Sequence, residues 1–330
     1  MKDGRRHRRN GLNWPFIIIS AVVIAAAAIL TIGENWPEMG LPSWSAVSQA
    51  MDRDGAGADS ASGTDTDASG TAPDASGTVR VHFLDTGQSD CILITTPGKN
   101  VLIDAGNPDL GYRIVSYMKK QGVEKLDLAI ATHPHSDHIG SMAYILNNFG
   151  ADELLMPRLN ESVTPVSTYY DDMLDAAARI GCLVTEAQPG LKYELCDGAY
   201  LYVLGPVGEY EDLNDWSVVT KLVVGEKSFL FMGDAEAAAE ADILSSGADV
   251  SCDVLKVGHH GGSSSSGDAL LEAAAPEYAV ILVGAGNDYG HPADSTLERL
   301  ERHGAAIYRT DLDGTVVAST DGHKLTITTD

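Results

Sequence analysis

Cysteine, aromatic rings and basic side chains are scarce in this chain. It has 4 Cys in 330 residues, at Cys91, Cys182, Cys196 and Cys252, with no CxxC pair, a pattern that does not suggest a structural zinc knuckle. Buried free thiols are the plain reading of all four; export from the cell would also permit a Cys182–Cys196 bridge. Lys and Arg number 22 against 47 Asp and Glu, a formal net charge of -25. That balance favours solubility and disfavours sustained, non-specific binding of a polyanion, which needs a basic face. Hydrophobic residues make up 44% of the chain, ordinary for a domain with a folded core.

The few basic residues are unevenly placed. Lys2, Arg5, Arg6, Arg8 and Arg9 precede an uncharged run from Phe16 to Gly33 that is rich in Ile, Val and Ala. A run of that length can cross a bilayer as a helix, with the basic flank kept in the cytoplasm. The expected organisation is a basic flank over 1–14, a transmembrane anchor over 15–33, a linker over 34–77 and a folded domain over 78–330. The domain would then sit outside the cell, tethered to the membrane. Cleavage as a signal peptide is the alternative and would release it, although no clear small-x-small site follows the run. No Cys follows it either, so no lipidation site is offered there. The linker is Ala, Gly, Ser, Thr and Asp, with the near-repeat Asp-Ala-Ser-Gly-Thr at Asp67 and Asp74. Such a composition buries too little apolar surface to offset its ordering entropy.

Beyond Thr78 the pattern changes. Strand-like runs cover Val79 to Leu84, Asp90 to Thr96, Val101 to Asp104 and Leu126 to Ala131, with helix-like runs at Tyr112 to Gln121 and Ile139 to Asn148. A second half offers strands at Tyr200 to Leu204, Ser217 to Val224, Ser228 to Met232, Asp253 to Val257 and Tyr278 to Val283. Its helices fall at Ala235 to Ser245, Ala269 to Ala275 and Ser295 to His303, and closing strands at Ala306 to Arg309, Thr315 to Ala318 and Leu325 to Thr328. Strands and helices interleaved in two halves predict two sheets packed face to face with helices outside.

The residues that carry chemistry sit in the turns after these strands. Thr132-His-Pro-His-Ser-Asp-His138 places His133, His135, Asp137 and His138 between a strand end and a helix start. A turn there can aim alternate side chains at two points, and imidazole with carboxylate suits zinc, iron or manganese. The pair His259 and His260, and His291, follow other strand runs. Asp234 also lies between a strand and a helix, where it can be a ligand shared by two cations or a helix N-cap. His82, His303 and His323 lie in ordinary strand or helix patterns and read as structural, and His7 belongs to the basic flank.

These residues are similar to the signature of the metallo-β-lactamase fold, an α/β (α+β) four-layer αββα sandwich. Within it the chain resembles the exported metallo-hydrolase domain of ComEC-type competence proteins. The resemblance is carried, in order, by Phe83-Leu-Asp-Thr-Gly-Gln-Ser-Asp90, Leu102-Ile-Asp-Ala-Gly106, the His133 cluster, Met232-Gly-Asp-Ala-Glu236, Leu255-Lys-Val-Gly-His-His-Gly261 and Tyr289-Gly-His-Pro292. It implies two divalent ions, Zn2+ or Mn2+. His133 and His135 would bind one, Asp137 and His138 the other, and Asp234 would bridge them. His260 or His291 would complete the second site, with His259 beside it. Asp104 would orient a ligand imidazole, and Gln88 and Asp90 would line the cleft. One departure stands out: Asp212-Leu-Asn-Asp-Trp-Ser217 holds no His where many members of the fold have one, and Asn214 or Asp215 stands near its place. The first ion is then expected to be held more weakly, in a more open site or one better suited to manganese.

The implied activity is hydrolysis of a phosphodiester, with DNA as first candidate, by a hydroxide bridging two ions about 3.5 to 4 Å apart. Asp137 would hold the nucleophile, and His259 or His291 would serve the leaving oxygen. Lys256 is either a helper in the cleft or a solvated strand residue. Ser263 to Ser266, Asn287 and Tyr289 offer donors for phosphate oxygens. A single span cannot form an uptake channel, and no protein partner can be deduced. Two other readings remain: a hydrolase of lactones, β-lactams or thioesters, which would want an apolar pocket, and a non-catalytic surface binding module.

Overall fold

Alternating burial along the strands decides how the layers stack. In β1 (Val79–Phe83), Val79, Val81 and Phe83 face one core while His82 faces the other way. Ile92 and Ile94 of β2 (Ile92–Thr95) and Val101 and Ile103 of β3 (Asn100–Ile103) face the same core, with Leu93 and Leu102 on the opposite face. Period-2 patterning of this kind gives a sheet two faces, and here both are apolar.

The computed structural model describes residues 77–160, 163, 165 and 167–329. The expected basic flank, membrane span and almost all of the linker lie outside the described residues. Among the described residues no helix is long and apolar enough to cross a membrane.

The remaining elements are α1 (Gly111–Lys120), β4 (Leu126–Ile130), α2 (Ser136–Ile139), α3 (Met142–Phe149), β5 (Ala151–Met156), α4 (Thr168–Ile180), β6 (Leu183–Glu186), β7 (Lys192–Cys196), β8 (Ala199–Val203), β9 (Thr220–Val224), β10 (Lys227–Phe231), α5 (Ala237–Ser245), β11 (Val254–Lys256), α6 (Asp268–Ala274), β12 (Tyr278–Ile281), α7 (Asp294–Arg302), β13 (Ala306–Arg309), α8 (Thr310–Asp313), β14 (Val316–Thr320) and β15 (Leu325–Thr329). An eight-stranded sheet has the order β15-β14-β1-β2-β3-β4-β5-β6, and a seven-stranded sheet the order β13-β12-β11-β10-β9-β8-β7. Phe83, Ile92, Ile130, Leu222, Phe229 and Phe231 belong to the core between the sheets. A second core packs the first sheet on α1, α3 and α4, and a third packs the second sheet on α5, α6 and α7. The described part is therefore the two-sheet α/β sandwich expected, with helices on both outer faces.

Two readings need correction. All four thiols are free, and Cys182 and Cys196 cannot bridge because they pack in different layers, one under the helices and the other against the inter-sheet core. The helix expected over Ile139 to Asn148 is two short helices, α2 and α3. Gly140 lies between them, with so little room that a Cβ would come within 2.5 Å of the Pro108 ring.

The topology positions the chemistry. β3, β4, β5 and β6 run parallel in one sheet, and β10 to β13 in the other. The turns bearing Asp104, the His133 cluster, Asp234 and the His259–His260 pair leave the carboxyl ends of β3, β4, β10 and β11. Such strand ends are where open α/β sheets bind ligands. The two sheets meet there: Val218 N–H donates to the Thr132 carbonyl at 2.9 Å.

Candidate metal centre

Asp234 is the hub. Its Oδ2 lies 3.2 Å from Nε2 of His138, 3.7 Å from Nε2 of His260, and 3.9 Å from Nε2 of both His133 and His259. Gly233 makes the approach feasible: its φ is +55°, and a Cβ there would meet Ser217 Oγ at 2.9 Å and Thr132 Cβ at 3.1 Å. Asp234 is no helix cap. The N-terminus of α5 is held by Asp215, whose Oδ1 accepts from the N–H of Glu236 at 2.9 Å and of Ala239 at 3.2 Å.

Around that hub each imidazole is oriented by its other nitrogen. His138 Nδ1 meets Asp104 Oδ2 at 2.8 Å, and the same carboxylate accepts from Thr132 N at 2.8 Å and Thr132 Oγ1 at 2.7 Å. His260 Nδ1 donates to the Leu282 carbonyl at 2.9 Å, and His259 Nδ1 meets Glu236 Oε1 at 2.8 Å. These bonds leave the Nε2 atoms of His138, His259 and His260 facing Asp234, as ligand histidines require. His133 Nε2 and His135 Nδ1 face one another at 3.0 Å. Asp104, His259 and His260 all sit at positive φ, 58°, 47° and 51°, a conformation that side-chain-bearing residues adopt at a cost and that clusters at functional sites.

Asp137, His138, Asp234 and His260 each offer a ligand atom, all within 4.8 Å of one another. His138 Nε2, His260 Nε2 and Asp234 Oδ1 are buried without a hydrogen-bond partner. Buried polar atoms almost always have one. Imidazole nitrogens and carboxylate oxygens that converge with no donor between them suit a divalent cation, so the residues fit a metal centre.

The electrostatics agree. Burial alone would raise Asp234, but His138, His260 and His133 outweigh it and hold its carboxyl well below the usual range. Burial alone would likewise raise Asp137; the His260 imidazole 3.4 Å away and His138 reverse that and lower it. Burial opposes charge on His138, yet Asp234 and Asp104 lift it well above its ordinary value. His260 is raised to about 10 by Asp234, Asp90 and Asp137 against the same opposition. Burial and the neighbouring His138 push His133 well below its ordinary value. In the metal-free protein the carboxylates favour protons on His138 and His260, which a cation would displace.

The profile of the metallo-β-lactamase superfamily matches residues 84–285. The chain belongs to this superfamily. "ComE operon protein 3" of Bacillus subtilis (strain 168) is 30% identical over 256 residues, which cover 72% of this chain and 32% of that protein. "Competence protein ComA" of Neisseria gonorrhoeae is 28% identical over 236 residues, covering 70% of this chain and 30% of that protein. "Recombination protein 2" of Haemophilus influenzae is 30% identical over 246 residues, covering 72% and 28%. The matched part is thus about a third of these relatives, and the resemblance to ComEC-type proteins read from the motifs holds. Among solved structures, the metallo-β-lactamase fold protein YhfI from Bacillus subtilis aligns with a TM-score of 0.49 at 11% identity, covering 74% of this chain and 100% of that one.

A cleft of about 330 Å³ opens onto this candidate centre, lined by Gln88, His135, Ser136, Asp137, Asn214, Asp234, His259, His260, Tyr289 and His291. Of the two histidines offered for the second ion, His260 joins the Asp137–His138–Asp234 group. The His291 ring stands 5.1 Å from His259 and 6.4 Å from His260. Gln88 accepts Gly284 N–H on Oε1 at 3.1 Å. Asn214 donates to Glu236 Oε1 at 3.2 Å and leaves its own buried Oδ1 unpartnered. Tyr289 is 74% exposed beside His291.

Four expectations about the cleft are not met. Asp90 is buried and does not line it. Lys256 is neither solvated nor in the cleft: it follows Val254 on the inward face of β11, has no exposed surface, and pairs with Asp90 at 2.7 Å. Asn287 offers no free amide donor, since its Nδ2 donates to the carbonyls of Gly284 at 2.9 Å and His291 at 2.6 Å, shaping the His291 loop. Ser263 to Ser266 do not line the cleft; Arg299 donates to the carbonyls of Ser263, Ser265 and Ser266, and Ser264 Oγ donates to Glu236 Oε1.

Three contributors were not singled out in the sequence. Glu236 gathers His259, Asn214 and Ser264 on Oε1; its place two residues after Asp234 was the available signal. Ser217 Oγ accepts Asp234 N–H at 3.0 Å and lies 3.3 Å from His133 Nδ1. Thr132 Oγ1 lies 3.2 Å from His133 Nδ1 and links it to Asp104. A lone Ser or Thr at a strand end carries no pattern of its own.

Proposed function

We propose that this chain is an exported metal-dependent hydrolase of phosphodiesters, anchored by residues 15–33 with its catalytic domain outside the membrane, or secreted where that segment is cleaved. The observation that carries the reading is Asp234 Oδ2 lying within 3.9 Å of Nε2 on His133, His138, His259 and His260. One carboxylate oxygen facing so many imidazoles suits a pair of divalent ions, Zn2+ or Mn2+, which Asp234 and these histidines would hold. Such a pair, when bound, supplies an activated water and a Lewis-acid clamp on the substrate.

The residues around it have separate tasks. Asp137, its side chain 31% exposed and 3.4 Å from His260 Nε2, orients the attacking water and accepts its proton. His259 is pinned through Nδ1 to Glu236, so its Nε2 serves the leaving oxygen, with His291 beside it. The Oε1 of Gln88 is taken by Gly284 N–H, which leaves its amide N–H groups for a substrate oxygen.

The names of the relatives, a competence protein and a recombination protein, make DNA the first substrate to test. The cleft lining includes neither Lys nor Arg, which argues for single strands or short oligonucleotides over long duplexes, whose affinity rests on phosphate neutralisation. The lining is also polar, unlike the apolar pocket a lactone or thioester hydrolase would want. The test is metal analysis of the purified protein together with a nuclease assay with added Mn2+ or Zn2+, comparing wild type with His135→Ala and Asp234→Ala. A lactone and bis-nitrophenyl phosphate run in parallel separate ester from phosphodiester chemistry. Both variants should lose metal and rate; full metal content and rate in both would overturn the assignment.

A further inference from the structure

Behind the histidines lies a charge pair that the proposed reaction does not use. Lys256 ends β11 in the second sheet, Asp90 lies in the loop between β1 and β2 in the first, and their side chains meet at 2.7 Å with 0% and 2% exposure. The remaining contacts of Asp90 run to the metal-centre loops. Its backbone N–H donates to the Asp137 carbonyl at 3.1 Å, its carbonyl accepts from Gly106 N–H at 2.8 Å, and its Oδ1 lies 3.3 Å from His260 Nδ1. That Oδ1 has no hydrogen-bond donor of its own. Lys256 Nζ also donates to the Val257 carbonyl at 2.8 Å, two residues before His259.

A buried ion pair is poor evidence for stability, because desolvation offsets most of the attraction, and a well-packed apolar pair often does as well. Its presence at this place therefore asks for another role. We propose that Lys256 is a positioning residue of the metal centre: its ammonium holds the Asp90 carboxylate fixed beside His260 Nδ1, and so sets the direction in which His260 Nε2 meets Asp137 and Asp234. Asp90 and the Leu282 carbonyl together flank one edge of the imidazole, and only one of them carries charge. The Lys256 ammonium neutralises that charge from behind and keeps Asp90 from swinging forward to compete as a ligand. This role rests on the metal-centre reading above.

Four variants of the full chain separate the possibilities, with Mn2+ titrated calorimetrically into chelator-stripped protein and the bound ion followed by electron paramagnetic resonance. Lys256→Met strands a buried carboxylate and is expected to lower thermal stability sharply. Lys256→Met combined with Asp90→Asn removes both charges, recovers most of that stability, and still binds Mn2+ about 10-fold or more weakly with an altered spectrum, the loss typical of partners that orient ligands. Asp90→Asn alone should show a similar affinity loss. A double variant that binds Mn2+ as tightly as wild type, with the same spectrum, would make the pair a mere strut and overturn the proposal. Asp234→Ala keeps the two ideas apart: unchanged Mn2+ binding there sinks the metal-centre reading itself, whereas lost binding there with an unaffected double variant sinks only the role of Lys256.

Discussion

Replacing Asp104 by Asn tests whether the metal centre depends on how one imidazole is aimed. Asp104 accepts three hydrogen bonds, from Thr132 N, Thr132 Oγ1 and His138 Nδ1. An Asn of the same shape keeps one acceptor oxygen, which can serve Thr132 N, and turns an amide NH2 toward His138. Its Nδ1–H then has no acceptor, and the ring is driven toward the tautomer that puts a proton on Nε2, the atom facing Asp234. Asn adds no backbone strain at a φ of 58°, since Asn and Asp are the residues other than Gly that best tolerate that region. A hydrogen bond to a charged group is worth about 1.5 to 3 kcal/mol, which at about 1.4 kcal/mol per decade is roughly 10- to 100-fold in divalent-ion affinity. Titration calorimetry of chelator-stripped wild type and Asp104→Asn with Mn2+ and Zn2+ measures it, with circular dichroism to check the fold and nitrogen NMR to read the His138 tautomer. A folded variant whose affinity stays within about twofold of wild type, with Nδ1 of His138 still protonated, would refute the reasoning.

Other perturbations reach the same centre by different routes. Gly233→Ala should lower both thermal stability and metal content, because the new Cβ meets Ser217 and Thr132 at 2.9 to 3.1 Å and the φ of +55° is strained for it; thermal melts and metal analysis decide, and an unperturbed, fully loaded variant contradicts the packing. The raised His260 pKa fixes a sign in pH: its stabilising charge is present below the ordinary value of 6.5 and lost as pH rises through about 10. Metal-free protein should therefore melt at falling temperatures across that window while Mn2+-loaded protein changes less, and metal uptake near neutrality should release protons into weak buffer. Two parallel melting profiles, with no proton release, would count against it. Phe231→Ala, in the core between the sheets, should cost about 3 to 5 kcal/mol in denaturant unfolding; a loss below about 1 kcal/mol would mean that core is not shared by both sheets.

Much of the fold was legible because strands of this type announce themselves. Val79, Val81 and Phe83, or Phe229 and Phe231, alternate toward one core, and each ligand turn follows such a run. The interval from Ala151 to Cys196 shows no clear period in the sequence, yet it holds β5, α4, β6 and β7. Edge strands explain part of this: Leu183 and Val184 of β6 are 62% and 44% exposed, so burial imposes no clear period on them. Site residues with distinctive chemistry, His and Asp in tight spacing, could be picked out one by one. What the sequence concealed was the use of ordinary residues. Lys256 looked solvated because lysine usually is, and only the pairing of two sheets brings Asp90 to it. Asn287 looked like a substrate donor, yet its amide is consumed by its own loop. The Cys182–Cys196 bridge failed for a reason of layering that spacing along the chain does not encode.

The seam between the two sheets sets a condition on how this protein comes into being. Asp104 and the first four ligand candidates arise from one half of the chain, Asp234, His259 and His260 from the other, and they touch only where the sandwich closes. A nascent chain that has completed only its first half owns half a coordination shell and nothing to fasten it to. A cation arriving at the finished edge would act as a rivet between the halves, tightening the assembly it depends on. Scarcity of the ion should then register as looseness at that rim well before the helices on the outer faces notice.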